Sequence, residues 1–254
     1  MLEPTPQIIE PPVVQPPVVL PIERAAAALE VILCSGFPTQ IVIITVLATL
    51  GMQPKLPDGT FNATFVFTLT LLDTVLLVGL VLFFFRAHRE SFREQLFGSR
   101  RTIREVLFGL ALIPASFVVV IVVLKLVQLI VPSLRNVPLN PLADLVRSPG
   151  QAAVFAFVVT VAGGVREEIQ RGFVLRRFEQ FLGGGVTGLI VFSALFGLGH
   201  LEQGRDVALA TAVLGAFWGA IFLRRRSIAG PMVGHAGFNL LQVIGFVFRG
   251  AGAR

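Results

Sequence analysis

Seven runs of apolar residues, separated by short stretches rich in arginine, proline or glycine, set the layout of this 254-residue chain. They lie at about 26–52, 61–85, 106–131, 152–181, 186–200, 207–223 and 228–248. The first two comfortably exceed the ~20 residues that cross ~30 Å of hydrocarbon. The pattern predicts an all-α fold, a polytopic membrane helical bundle of about seven transmembrane helices, or eight if one more segment crosses.

Breaks in the pattern refine this outline. Residues 1–22 carry Pro11-Pro12 and Pro16-Pro17 among valines and isoleucines, with no positive charge before Arg24. That composition blocks helix and predicts a disordered, polyproline-like tail rather than a signal peptide, leaving 23–254 as the helical transmembrane domain. Pro38 predicts a kink in the first run, and Gly163-Gly164 a bend in the fourth. Asp73 lies well inside the second run and reads as a carboxylate bonded to neighbouring helices. Residues 86–104 hold six arginines with His88, Glu90 and Glu94, the composition of an amphipathic interfacial helix against anionic headgroups, with His88 in solvent. Lys125 can snorkel outward from the end of the third run. The proline-rich stretch 132–151 reads as an irregular connection, and Gly215-x-x-x-Gly219 as a face for close helix packing.

Composition agrees with the pattern: 54% of the residues are hydrophobic and 14% charged. The net charge of +6 comes mostly from arginines beside apolar runs, which points to membrane orientation and not to nucleic acid. Arg24, the 86–104 arginines, Arg176, Arg177 and Arg224-Arg225-Arg226 collect on one side. Lys55, Arg135, Arg147, Arg205, Arg249 and Arg254 fall on the other. The N-terminus is therefore expected in the cytoplasm, in a multi-pass protein of a bacterial inner membrane type. The single cysteine, Cys34, forms no intrachain disulfide. No Walker loop, His-Glu-x-x-His helix or Gly-x-Ser-x-Gly elbow is present, so nucleotide binding and the common zincin and serine-hydrolase signatures are set aside.

The costliest residues in this setting are Glu167 and Glu168. A charged side chain at the bilayer centre costs roughly 2.5–3.5 kcal/mol on insertion scales, so an adjacent pair implies a lined cavity, a partner or chemistry. Counting at ~1.5 Å per residue puts Glu168 and His235 about 13 Å from the arginine-rich surface and His200 about 22 Å. Asn239 follows His235 by four residues and shares its face, and Glu167 relates to Arg171 in the same way, making an ion pair between them available. A carboxylate and two imidazoles can hold a divalent metal with an open position or activate a water directly. Asn239 can donate to an oxyanion and Arg171 can orient the carboxylates.

These residues resemble the CAAX-processing and bacteriocin-processing (CPBP or ABI) intramembrane proteases over about residues 150–245. The likeness is carried by Glu167-Glu168 with Arg171-Gly172 and Leu175-Arg176-Arg177-Phe178, by Phe196-Gly197-Leu198-Gly199-His200, and by Ser227-Ile228-Ala229-Gly230-Pro231 leading into His235-Ala236-Gly237-Phe238-Asn239. The family pattern has three residues between the glutamate pair and the arginine, whereas this chain has Ile169 and Gln170 only. Aligned on the pair, Glu167 takes the place of the first family glutamate; aligned on Arg171, Arg166 stands there. The i,i+4 relation to Arg171 favours Glu167 as base or ligand, with Glu168 kept in the set. The resemblance implies an endopeptidase acting on a membrane-associated or lipid-modified peptide or protein, with His200 assisting the glutamate and His235 and Asn239 holding a metal or the oxyanion. A zinc site of Glu167, His200 and His235 and a metal-free glutamate mechanism use the same side chains, and both stand at this point. Besides substrate, membrane lipids are the expected partners. A non-catalytic scaffold or immunity-type protein of this fold and an ion-coupled transporter are the alternative readings.

Overall fold

The computed structural model describes residues 19–252. The proline pairs at 11–12 and 16–17, on which the expectation of a disordered tail rests, lie outside them. The chain becomes helical at Pro21, inside the stretch assigned to that tail. Pro at a first helical position loses no hydrogen bond and has the right φ already, so it starts α1, Pro21–Leu33, well.

The first apolar run is two helices, not one kinked helix: α1 and α2, Phe37–Thr49, meet at 42°. The break lies at Gly36, whose φ of +88° suits glycine, while Pro38 occupies the first turn of α2, where it is tolerated. Helix α3, Ala63–Ala87, starts at Asn62, whose side chain accepts a hydrogen bond from the Phe65 N–H. The arginine-rich connector contains only the six-residue α4, Phe92–Phe97, between turns at Arg89 and Gly98, so no long interfacial helix forms. It is pinned beneath the bundle instead. The Ile228 N–H donates to the Leu96 carbonyl at 2.8 Å, and His88, exposed as expected, also contacts the buried Glu30 at 2.5 Å.

Helix α5, Thr102–Ile130, is followed by two short 3₁₀ turns at Pro132–Leu134 and Pro141–Val146, the irregular connection the prolines announced. Helix α6, Pro149–Val158, runs into a π-helical stretch, Val159–Arg166, and then into α7, Glu167–Phe181. Helices α8, Gly185–Leu198, α9, Arg205–Arg225, and α10, Ala229–Gly252, complete the bundle. Only α3, α5, α9 and α10 are long and apolar enough to span alone among the described residues, with α1 and α2 together making a fifth. The fourth run is interrupted by the π stretch and dense charge. The fifth gives a 14-residue helix, roughly 21 Å long and short of the bilayer core.

The bundle is turned outward compared with a water-soluble one. Val75, Phe83, Leu129, Val186 and Ile190 are exposed, whereas Asp73, Glu105, Arg166, Glu168, Arg171 and Arg177 are buried. An apolar exterior around a charged interior fits lipid as the solvent, and with the spans above it makes this a multi-pass integral membrane protein. Helix α7 occupies the centre, with ten of its fifteen residues buried. One end is tied by ion pairs of Arg177 with Glu30 (2.6 Å) and Glu90 (2.7 Å), and by pairs of Arg225 with Glu105 and Arg226 with Glu179. These pairs bring the 86–104 connector, the end of α7 and the link between α9 and α10 together.

Small residues let α8 and α9 approach closely. A Cβ at Gly215 would lie 2.9 Å from the Phe196 ring, and one at Gly197 would lie 2.6 Å from the Ala208 carbonyl oxygen and 2.7 Å from the Ala212 Cβ. Backbone cannot yield as a flexible side chain can, so Gly197→Val forces the helices apart. We expect a loss of about 1–3 kcal/mol and a lower thermal midpoint in detergent. Gly79→Ala, where a Cβ meets nothing within 4 Å, serves as the unaffected control.

Candidate active site

Two glutamates adjacent in sequence have opposite environments. Glu168 is fully buried; it pairs with Arg171, and its Oε1 lies 2.8 Å from His235 Nδ1. Glu167 is partly open and lines two cavities. The pair expected between Glu167 and Arg171 is not formed. One residue's rotation about the helix turns Glu167 toward the cavities, and Arg171 reaches Glu168 at i,i+3 instead. The cation beside Glu167 is Arg166, with Nη1 3.6 Å from Oε1.

The π stretch governs this placement. A π turn widens the helix locally and shifts the register of the helix beyond it, and such turns are frequent at functional sites. Here it carries Gly163 and Gly164 against α10. A Cβ on Gly163 would run into the Asn239 amide, and one on Gly164 would lie 2.5 Å from the Ala236 Cβ. The glycine pair brings its backbone against the segment bearing His235 and Asn239.

His235 is held on three sides. Its Nδ1 hydrogen bonds to Glu168, Trp218 stacks on its ring at 3.9 Å between centroids, and Nε2 lies 3.7 Å from Glu167 Oε2. With Nδ1–H donated to the carboxylate, Nε2 is the ring nitrogen left for the cavity. Asn239, one turn further along α10, lines the same cavity. His200 follows α8 in a turn. Its Nδ1 is 2.8 Å from the Phe196 carbonyl oxygen, an acceptor, so Nδ1 donates and Nε2 remains as the acceptor of the neutral ring. Arg171 is wholly enclosed, its guanidinium 5.1–5.5 Å from the rings of Phe192, Phe196 and Trp218. Aromatic faces and the Glu168 carboxylate compensate its charge where water cannot.

The two cavities have volumes of about 210 and 240 Å³. The smaller lies against the α1–α2 break, with Ser35, Gln40, Arg166 and Gln170 in its wall. The larger is mainly apolar, bounded by residues of α3, α5, α6, α9 and α10, with His235 and Asn239 in its wall. Glu167, Phe196, His200 and Gln203 line both, so the Glu167 carboxylate and His200 imidazole stand where the cavities meet.

All six residues singled out in the sequence thus lie in or directly behind one site: Glu167, His200, His235 and Asn239 at the cavities, Glu168 and Arg171 behind them. Among the described residues, no group of three His, Cys, Asp or Glu side chains stands close enough together to hold a metal ion. Trp218, Arg166 and Asp73 were missed as site residues. Trp218 is the chain's one tryptophan and lies between the small residues Gly215 and Gly219, which is the only local signal it gives.

Comparison with curated proteins and with solved structures gave no match. Residues 149–241 match the family described as Type II CAAX prenyl endopeptidase Rce1-like. The matched stretch runs from the start of α6 into α10 and contains every one of the six residues above. The segment that builds this site is accordingly similar to the Rce1-like family, the type II CAAX prenyl endopeptidase-like proteins.

Proposed function

We propose that the protein is an intramembrane endopeptidase that hydrolyses a peptide bond of a membrane-associated or lipid-modified substrate with a water activated by Glu167 and His200. The observation that carries this reading is the position of those two side chains at the junction of a polar and an apolar cavity. Glu167 takes a proton from water as its oxygen attacks the carbonyl carbon, and the His200 ring accepts from the same water at Nε2. The amide of Asn239 donates to the oxyanion that develops. As the intermediate collapses, the carbon–nitrogen bond breaks and the proton passes from Glu167 to the leaving amine. Glu168 and Arg171 hold His235 in place from behind. No step is routed through a metal.

The test uses purified full-length protein in liposomes with three reporters: a farnesylated peptide, the same peptide without the lipid, and a single-span transmembrane peptide. Cleavage of at least one reporter by the native protein, persisting after chelation and elemental confirmation of metal removal, is the expected result. Cleavage lost on chelation and restored by zinc would replace the metal-free mechanism with a metal-assisted one. No cleavage of any reporter, with undiminished partner binding or ion flux, would favour a scaffold or a transporter.

A further inference from the structure

We infer that Asp73 and Arg166 form a positioning pair that holds the Glu167 carboxylate for hydrolysis, an inference that rests on the reading of Glu167 as the water-activating base. The two residues lie 93 positions apart, on α3 and at the end of the π stretch, and form a buried ion pair through Arg166 Nη2. The other terminal nitrogen, Nη1, faces Glu167 Oε1 at 3.6 Å and the Gln170 side-chain oxygen at 3.4 Å. The guanidinium is therefore a fork with one arm fixed to Asp73 and the other directed at Glu167 and Gln170. Its two terminal nitrogens, fixed in one plane, reach both sides at once, whereas an ammonium offers all its donors from a single nitrogen.

Asp73 is fixed in turn. Thr39 Oγ1 donates to its Oδ1 at 2.5 Å and Gln40 Nε2 to its Oδ2 at 3.4 Å, both from α2 just past the helix break. Gln170 closes the circuit by donating to the Cys34 carbonyl oxygen at 2.8 Å. The polar wall of the smaller cavity is thus largely committed to partners within the protein, which makes it a support for Glu167 rather than a surface awaiting a ligand. A buried cation flanked by two carboxylates also offsets charge that the surrounding helices cannot solvate. The pair joins α3 and the broken α1–α2 element, outside the 149–241 segment, to the carboxylate at the centre of the site.

The pair's positioning role is separable from its role in packing. In full-length protein in liposomes, with the reporter it cleaves fastest, Arg166→Met lowers kcat on the order of 10²-fold, the cost of misplacing a reacting group by about 1 Å, with KM within about twofold. The double variant Asp73→Asn/Arg166→Met removes both charges of the pair, so its thermal midpoint returns toward the native value while kcat stays as low as in Arg166→Met. Arg166→Lys keeps the charge but not the fork, and it lowers kcat without shifting the midpoint, which keeps the question answerable if a neutral variant does not fold. Recovery of kcat together with the midpoint in the double variant, or unchanged kcat in Arg166→Lys, would overturn the positioning role alone, provided Glu167→Gln is inactive in the same assay. Full activity of Glu167→Gln would remove the base itself, and this inference with it.

Discussion

Glu167→Gln lowers kcat by roughly 10²–10⁴-fold, the span expected when a general base is replaced by a group that cannot take a proton. The fold and KM stay near native because glutamine keeps the shape, and because Glu167, unlike its neighbour, supports no buried ion pair with α10 at hydrogen-bond distance. Its contacts are looser: Arg166 at 3.6 Å and His235 at 3.7 Å. Kinetics and thermal unfolding measured on one preparation check both halves. A variant that lost activity only in proportion to lost folded protein would place Glu167 in the architecture and not in the chemistry.

Glu168→Ala has the opposite profile, a large loss of stability first. It leaves Arg171 wholly enclosed without its carboxylate and strips His235 of its Nδ1 partner. Breaking a buried pair from one side costs about 3–5 kcal/mol, because the remaining charge is left uncompensated. The aromatic faces around Arg171 cushion only part of this, since cation–π contacts are worth about 0.5–2 kcal/mol each. Replacing both members, Glu168→Ala with Arg171→Met, recovers much of the stability but not the orientation of His235. Denaturation of the two variants and of the double in detergent checks this expectation. Equal losses for Glu168→Ala and for the double variant would contradict it.

The contrast between these two substitutions marks the limit of what the primary structure discloses. Apolar runs disclosed a helical membrane bundle because lipid demands apolar side chains on every outward face, and that demand is local. The spacing of His235 and Asn239, and the recurrence of polar groups at similar depth on separate runs, disclosed the site. Which glutamate faces the cavities was not legible from the i,i+4 relation of Glu167 to Arg171. Arg171 pairs with Glu168, and Glu167 reaches the cavities for a different reason, the register delivered by the π stretch. A π turn leaves no periodic signature, and its glycines read equally well as a bend. The pairs Asp73–Arg166 and Glu30–Arg177 join helices 93 and 147 positions apart. No pattern in either segment names its partner. Trp218 is a buried core aromatic, and its stacking on His235 depends on α10 packed beside it. The same blindness made the arginine-rich connector look like a free interfacial helix, when it is held by contacts from distant segments, and hid the partner Glu30 of the exposed His88.

The central claim is that Glu167 and His200 act on one water at the meeting point of the two cavities. The direct measurement is a double-mutant cycle on kcat with Glu167→Gln, His200→Gln and the combined variant, using the reporter cleaved fastest in liposomes. Residues that act as a unit are strongly non-additive, so the combined variant is expected to be about as slow as the worse of the two singles. Losses that multiply, or a His200→Gln variant with native kcat, would contradict the account.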